Sequence, residues 1–270
     1  MTRSDDWAAR LASGEPIAER VVVVVAHPDD ESLWTGSLLP RLENALLVHV
    51  TDGAPADMED ARRLGFTSRE AYAETREDET CKALQSLGAR ISRLRLRIPD
   101  KEAASRLPEL YHRLAEHVDG ASLVISHPYE GGHPDHDAVA WAVARAVAAL
   151  ARANIETAPA HVEFACYHQV AGERVFGRFW PGPRAHERNI SKIESARVAD
   201  ALAAHRTQAG VIGGWAPERE AWRAAPAYDF SAPPPPGRAL YDGFGWEMTS
   251  ARFSALAEAA DREIAACSRS

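Results

Sequence analysis

The chain has 270 residues, 46% of them hydrophobic, with 31 Lys plus Arg against 39 Asp plus Glu and a formal charge of -8. That is enough apolar material for one large domain with a packed core, while the acidic balance and the lack of a basic, aromatic-interleaved cluster argue against nucleic acid or an anionic membrane as partner. Cys81, Cys166 and Cys267 lie far apart with no CxxC pair, which argues against a disulfide framework or a thiolate zinc site and fits a reducing compartment.

In chain order, the opening stretch MTRSDDWAARLASGEPIAER carries several acids and no long apolar core, so it does not read as a secretion signal. No apolar run approaches the ~20 residues that span a bilayer, and a cytoplasmic protein is the expectation. Val21 to Val25 is a continuous β-branched run, the pattern of a parallel strand covered on both faces. Ala45 to Val50 reads as a second strand, followed by a TDG turn. Ser68 to Leu87 has helical spacing, with Gly88 as its stop. Ile91 to Ile98 alternates with period two, as a strand nearer the edge does. Arg106 to Val118 is then a helix, Ala121 to Ser126 a buried strand, Asp135 to Ala153 a long Ala/Val-rich helix and His161 to His168 a last strand. This alternation predicts an α/β, Rossmann-like three-layer fold with a mostly parallel sheet, whose sites lie at the carboxyl ends of strands.

Beyond Ala171 the alternation weakens. A Gly- and Pro-rich loop leads to a helix over Ile193 to His205, then to a Trp-containing stretch and the run APPPPG, expected as a stiff extended connector. A closing helix is expected within Met248 to Ala266. Residues 1–170 are therefore expected to form the core, and residues 171–270 an extension packed on it and shaping the pocket, within a single domain.

Two stretches carry chemistry. AHPDDE follows the first strand and contains His27, Pro28, Asp29, Asp30 and Glu31; SHPYEGGHPDHD follows the fourth and contains His127, His133, Asp135 and His136. Taken alone, the acids of the first could simply complement a helix dipole, and the second could be a loop with incidental histidines. The repetition of His-Pro-Asp at two equivalent places on one sheet favours a joint site. Two imidazoles and one carboxylate form a three-ligand metal set with a coordination position left open. Such a metal lowers the pKa of a bound water to ~7 and polarises a carbonyl oxygen, and a neighbouring carboxylate takes the proton. The Asp29–Asp30 doublet offers one ligand and one base.

AHPDDE together with GHPDH resembles the PIG-L/LmbE family of zinc-dependent N-acetylglucosaminyl deacetylases. Supporting similarities are TDG at Thr51 to Gly53, the RED helix around Arg76, IPD at Ile98 to Asp100, and AHRTQ at Ala204 to Gln208. The resemblance implies an LmbE-like fold in which His27, Asp30 and His136 bind one zinc ion and Asp29 is general base. It implies that His133 stabilises the oxyanion and can protonate the leaving amine, that Asp135 orients and charges His133, and that Asp100 and Arg76 meet the substrate. The implied activity is removal of an N-acyl group, expected to be acetyl, from an amino sugar or glycoconjugate by attack of zinc-bound water. The same donor set would also accept iron(II), cobalt(II) or manganese(II).

A specialised metabolite or a non-sugar N-acyl compound is the alternative substrate. A non-catalytic metal- or nucleotide-binding module is disfavoured, since no GxGxxG follows the first strand and both Asp29 and His133 are present. Homo-oligomerisation through the closing helix stays open. Other residues are read structurally: His49 within its strand, His112 and His117 on a solvated helix face, His205 as support, Trp34 and Trp141 in the core. His127 and Tyr129 lie within reach of the pocket but are read as structural. Trp215, Trp222 and Trp246 are the candidates for a substrate-facing wall.

Overall fold

The valine run explains the layering. In the computed structural model, which describes residues 2–212, 215 and 217–267, Val21 to Val25 are all fully buried. The pleat sends Val22 and Val24 into one hydrophobic core and Val21, Val23 and Val25 into the other. A strand that must satisfy a core on each side has to sit inside the sheet.

In chain order the elements are α1 (Arg3–Ser13), β1 (Ile17–Val25), α2 (Asp30–Thr35), β2 (Leu42–Pro55), α3 (Glu59–Arg63), α4 (Arg69–Leu87) and β3 (Ser92–Asp100). There follow α5 (Leu107–Val118), β4 (Leu123–Ser126), α6 (Pro134–Ala153), β5 (Ala160–Phe164), β6 (Tyr167–Val170) and β7 (Glu173–Phe176). The last are β8 (Ala185–Asn189), α7 (Lys192–Ala204), α8 (Ala209–Ile212), β9 (Arg219–Ala224) and α9 (Ser250–Cys267).

Among the described residues the main sheet runs β3-β2-β1-β4-β5-β9-β8, and β6 with β7 forms a separate hairpin. The first five strands are parallel, with Val23 opposite Leu47 on β2 and Ile125 on β4. The strands β9 and β8 add in antiparallel sense. Residues of α5, α6 and α9 fill one core, and residues of α1, α4 and α7 the other. No described helix is long and apolar enough to cross a membrane.

Four features depart from the sequence reading. Helix α1 was not anticipated; it packs Trp7 and Leu11 into the core behind an N-cap at Thr2. The strand expected over His161 to His168 stops at Phe164, because the chain peels away at Ala165–Cys166 to form the β6–β7 hairpin. The extension contributes two strands to the main sheet. Finally, the proline run is a turn rather than an extended connector, closed by a 2.7 Å hydrogen bond from Gly237 N–H to the Pro234 carbonyl. That turn packs onto the loop after β4, where the Leu240 N–H donates to the Gly131 carbonyl at 2.8 Å.

Candidate metal and active site

Strand β1 hands the chain to β2 on one side, whereas β4 lies on its other side. The carboxyl ends of β1 and β4 therefore flank the point where strand order reverses, and a crevice forms there. His27, Asp29 and Asp30 leave β1 at this point. His133 caps α6 and is followed by Pro134 in the first turn, which needs no backbone donor there; His136 then points back towards β1.

Three atoms from these two loops meet. His27 Nδ1 lies 3.2 Å from His136 Nε2 and 3.3 Å from Asp30 Oδ2, and His136 Nε2 lies 3.4 Å from the same oxygen. A tetrahedral ion with bonds of about 2.05 Å to nitrogen and oxygen separates its ligands by ~3.3 Å. The triangle thus has the dimensions of one face of such a coordination sphere, and the residues fit a divalent metal.

Each ligand is braced from behind. Asp30 Oδ2 accepts the His27 backbone N–H at 2.8 Å, and Oδ1 accepts Trp34 Nε1–H at 3.1 Å. The His136 ring stacks on His127 with centroids 3.9 Å apart, and its Nδ1 faces Cys166 Sγ at 3.6 Å. His27 Nε2 lies between Asp100 Oδ1 at 3.1 Å and Asp135 Oδ2 at 3.3 Å. Carboxylates on the far nitrogen of a ligating imidazole fix its tautomer and orientation. Burial works against a charged His27, but Asp100, Asp135 and Asp30 outweigh it and hold that imidazole well above its ordinary pKa. Burial likewise opposes a charged Asp30, yet His136 and His127 keep its carboxyl well below the usual range.

Asp29 sits beside this triangle, and its Oδ2 accepts from Arg76 Nη2 at 2.9 Å. Burial pushes its carboxyl up to about 7 against the pull of Arg76, with Asp30 adding to the rise. The buried Arg76 also donates to the Gly53 carbonyl at 2.7 Å and the Pro28 carbonyl at 3.0 Å. This accounts for the glycine of TDG: Gly53 has φ +66°, and a Cβ there would lie 2.6 Å from Arg76 Cζ. Glu31, fully buried, accepts the Asp29 backbone N–H at 3.1 Å and faces His49 Nε2 at 3.0 Å. The His49 contact holds its carboxyl down at about 2 despite the burial. The histidines read as structural, His49 and His205, thus flank the acid that fixes the Asp29 backbone.

His133 and Asp135 differ from their expected relation. The Asp135 carboxylate accepts the N–H groups of Lys101 at 2.7 Å and Ala103 at 3.0 Å, and lies 3.9 Å from His133 Nδ1. It is the Asp135 backbone N–H that meets His133, donating to Nδ1 at 3.2 Å in the N-cap arrangement. Burial and the adjacent His27 depress the His133 pKa well below its ordinary value. With Nδ1 accepting from that backbone N–H, the ring proton sits on Nε2.

The site opens into a cleft of about 590 Å³. His27, Asp29, Asp100 and Lys101 lie on its polar side; Trp34, Tyr167, Trp215 and Trp246 are among its walls. Trp34, expected wholly in the core, is nearly buried but presents a face to the cleft. Trp222, expected on the wall, is fully buried, because β9 lies between β5 and β8 and directs it into the core. The sequence reading missed Cys166, Tyr167 and Phe176 and treated His127 as structural. No signal marked Tyr167 and Cys166 in the sequence, because the strand expected over His161 to His168 enclosed them; only the end of β5 at Phe164 places them at a carboxyl end. Gln208 of AHRTQ also lines the cleft, and its neighbour Thr207 donates to Glu79 on α4, three residues from Arg76.

Fold and site together define a Rossmann-like α/β protein with a two-histidine, one-aspartate triangle that could hold a metal ion at the mouth of an open cleft. Residues 22–147 match the profile of the family described as PIG-L, GlcNAc-PI de-N-acetylase. The chain is 30% identical over 198 residues to the probable N-acetyl-alpha-D-glucosaminyl L-malate deacetylase 2 of Bacillus anthracis, covering 70% of this chain and 80% of that one. The Bacillus subtilis protein of the same name is 31% identical over 135 residues, a match that spans 48% of this chain and 61% of that protein's length. The chain belongs to the PIG-L family. Its fold is also that of the zinc-inhibited form of teicoplanin deacetylase Orf2, with a TM-score of 0.58 at 16% identity over 76% of this chain and 97% of that one.

Proposed function

We propose that the chain is a zinc-dependent N-deacetylase that hydrolyses the N-acetyl group of an amino sugar or its conjugate, with residues 1–170 as catalytic core and residues 171–270 shaping the pocket. The observation that carries this reading is the 3.2–3.4 Å triangle of His27, Asp30 and His136 with the buried Asp29 beside it. A divalent metal held there supplies a Lewis acid that lowers the pKa of water to ~7 and polarises the amide carbonyl. The mixed imidazole and carboxylate donors suit zinc, and iron(II), cobalt(II) and manganese(II) share that chemistry.

The chain's own groups do the rest. Asp29, as carboxylate, takes a proton from the attacking water, whose oxygen bonds to the carbonyl carbon. Arg76 holds Asp29 in place and favours its ionised form against the burial that raises its pKa to about 7. His133, with its proton fixed on Nε2, donates to the carbonyl oxygen as negative charge builds there. When the C–N bond breaks, the protonated Asp29, with a pKa of about 7, returns the proton to the leaving nitrogen. Asp100 and Asp135 hold the His27 ring, and Asp100 also stands at the cleft, where it can accept a substrate hydroxyl.

The named relatives are probable N-acetyl-alpha-D-glucosaminyl L-malate deacetylases, and that substrate class supports an amino-sugar amide here. A second reading keeps the chemistry but takes a specialised metabolite or non-sugar amide; the aromatic walls of the cleft favour it. Acetate release from N-acetylglucosamine, its conjugates and simple N-acyl amines, with and without chelator, tests both. Hydrolysis of sugar amides that chelator abolishes is the expected result, and cleavage confined to non-sugar amides would overturn the first reading.

A further inference from the structure

The apolar side of the cleft is larger than an acetamido sugar needs. Next to His136, at 5.4 Å between ring centroids, stands Tyr167, and Tyr167, Phe176, Trp215 and Trp34 form a closed circuit of rings 5.5–5.9 Å apart. Beyond His133 is a second wall, Trp246 at 5.3 Å from His133 and Phe244 at 4.9 Å from Trp246. Few large apolar side chains of this protein face solvent, and three that do line this cleft: Val211 is 77% exposed, Phe176 43% and Phe244 36%. Exposed apolar groups gathered at one concave place mark a binding surface rather than ordinary surface scatter.

The charge of the described lining is net negative: Asp29, Asp30, Glu59, Asp60 and Asp100 stand against Arg76, Lys101 and Arg174. Lys101 pairs with Asp57 at 3.1 Å and lies over the Trp246 ring, and Arg76 pairs with Asp29. Arg174 lies over the Phe244 ring at 5.6 Å without a carboxylate partner. Among the described residues of the cleft, a carboxylated or phosphorylated substituent therefore meets five carboxylates and a single unpaired cation.

We propose that the cleft is built for an N-acylated amino sugar carrying a bulky uncharged apolar substituent, which lies between the Phe176–Trp215 wall and the Phe244–Trp246 wall. This rests on the deacetylase reading and narrows it: the sugar meets the polar side, and the apolar substituent extends over Phe176 and Phe244. The L-malate in the names of the relatives would be an acidic substituent instead.

The test compares p-nitrophenyl N-acetyl-β-glucosaminide with free N-acetylglucosamine and N-acetylglucosamine 1-phosphate on the metal-loaded chain. Burying one face of the aryl ring is expected to raise kcat/KM about tenfold over the free sugar, mainly through KM, with the 1-phosphate no better than the free sugar. Phe176→Ala and Phe244→Ala are expected to reduce the aryl-to-free ratio several-fold. Equal rates for aryl and free sugar, or preference for the phosphate, would overturn the proposal while leaving the deacetylase reading intact. If no sugar amide is cleaved, the deacetylase reading fails, and calorimetric binding of the same three sugars to metal-stripped chain still decides the cleft: tighter aryl binding that Phe176→Ala weakens supports it, and equal or absent aryl binding sinks it.

Discussion

The loops that follow β1 and β4 and the segments that follow β5 use opposite means to build one cleft. In the first region, charged groups are buried and each is held by several partners: Asp30 by the His27 amide and Trp34, Asp29 by Arg76 on its side chain and by the Glu31 carboxylate on its backbone N–H. In the second, aromatic rings stand partly exposed and meet one another at tilted or edge-on angles. Chemistry at a metal needs atoms fixed to a few tenths of an ångström, which only a dense polar network provides. Selectivity for an apolar group needs area and shape, which rings supply without fixed directions. Mutations in the two regions should therefore fail in different ways.

The largest contrast is within the polar region. His136→Ala should lose both the metal and turnover, because one corner of the triangle is gone. Asp29→Asn should retain the metal while kcat falls by ~10²–10⁴, and metal analysis beside acetate release separates the two. Unchanged acetate release in Asp29→Asn would remove that residue from the base role.

Next comes Gly53→Ala, far from any ligand atom. The added methyl collides with the Arg76 guanidinium, so Asp29 loses its cation, and kcat is expected to drop about tenfold with metal content kept. An unaltered kcat would show that Arg76 does not position the base.

The pH profile is a subtler probe. Asp29 must be ionised to act, and its pKa stands at about 7 because burial raises it. Activity should therefore fall as pH drops through this region, with a bound cation moving the limb lower. Arg76→Gln removes a charge that lowers the pKa, so the acid limb should move to higher pH; a limb that stays put would contradict the assignment.

The smallest expected effect separates two tryptophans. Trp222→Ala opens the core and should cost about 3–5 kcal/mol in denaturant unfolding. Trp215→Ala, on the cleft wall, should change stability by less than about 1 kcal/mol. Equal losses would erase the distinction between core and wall.

The same contrast separates what the sequence disclosed from what it hid. Uninterrupted valines in β1 announce a doubly covered strand, and two His-Pro-Asp motifs at strand ends announce the meeting of His27, Asp30 and His136, because both signals are local. Strand β9 was invisible: REAWRA reads as charged surface, and its burial depends on Ser37, Glu130 and Glu163, all distant in sequence. Cys166 and Tyr167 were hidden for the same reason, since nothing near them in sequence tells of His136. The nearer partners of the Asp135 side chain, the amides of Lys101 and Ala103, could not be read from its own motif because they come from the turn after β3. The aromatic walls join the β6–β7 hairpin to Trp215, Phe244 and Trp246, a meeting that only the folded chain brings about.

The central claim is that His27, Asp30 and His136 hold one divalent metal on which amide hydrolysis depends. The direct measurement is metal content and acetate release in parallel, on chain stripped by chelator and then titrated with zinc. The account predicts no turnover in the stripped chain, recovery complete near one equivalent, and no recovery in His136→Ala. Full turnover in stripped chain, or zinc recovery undiminished in His136→Ala, would contradict it.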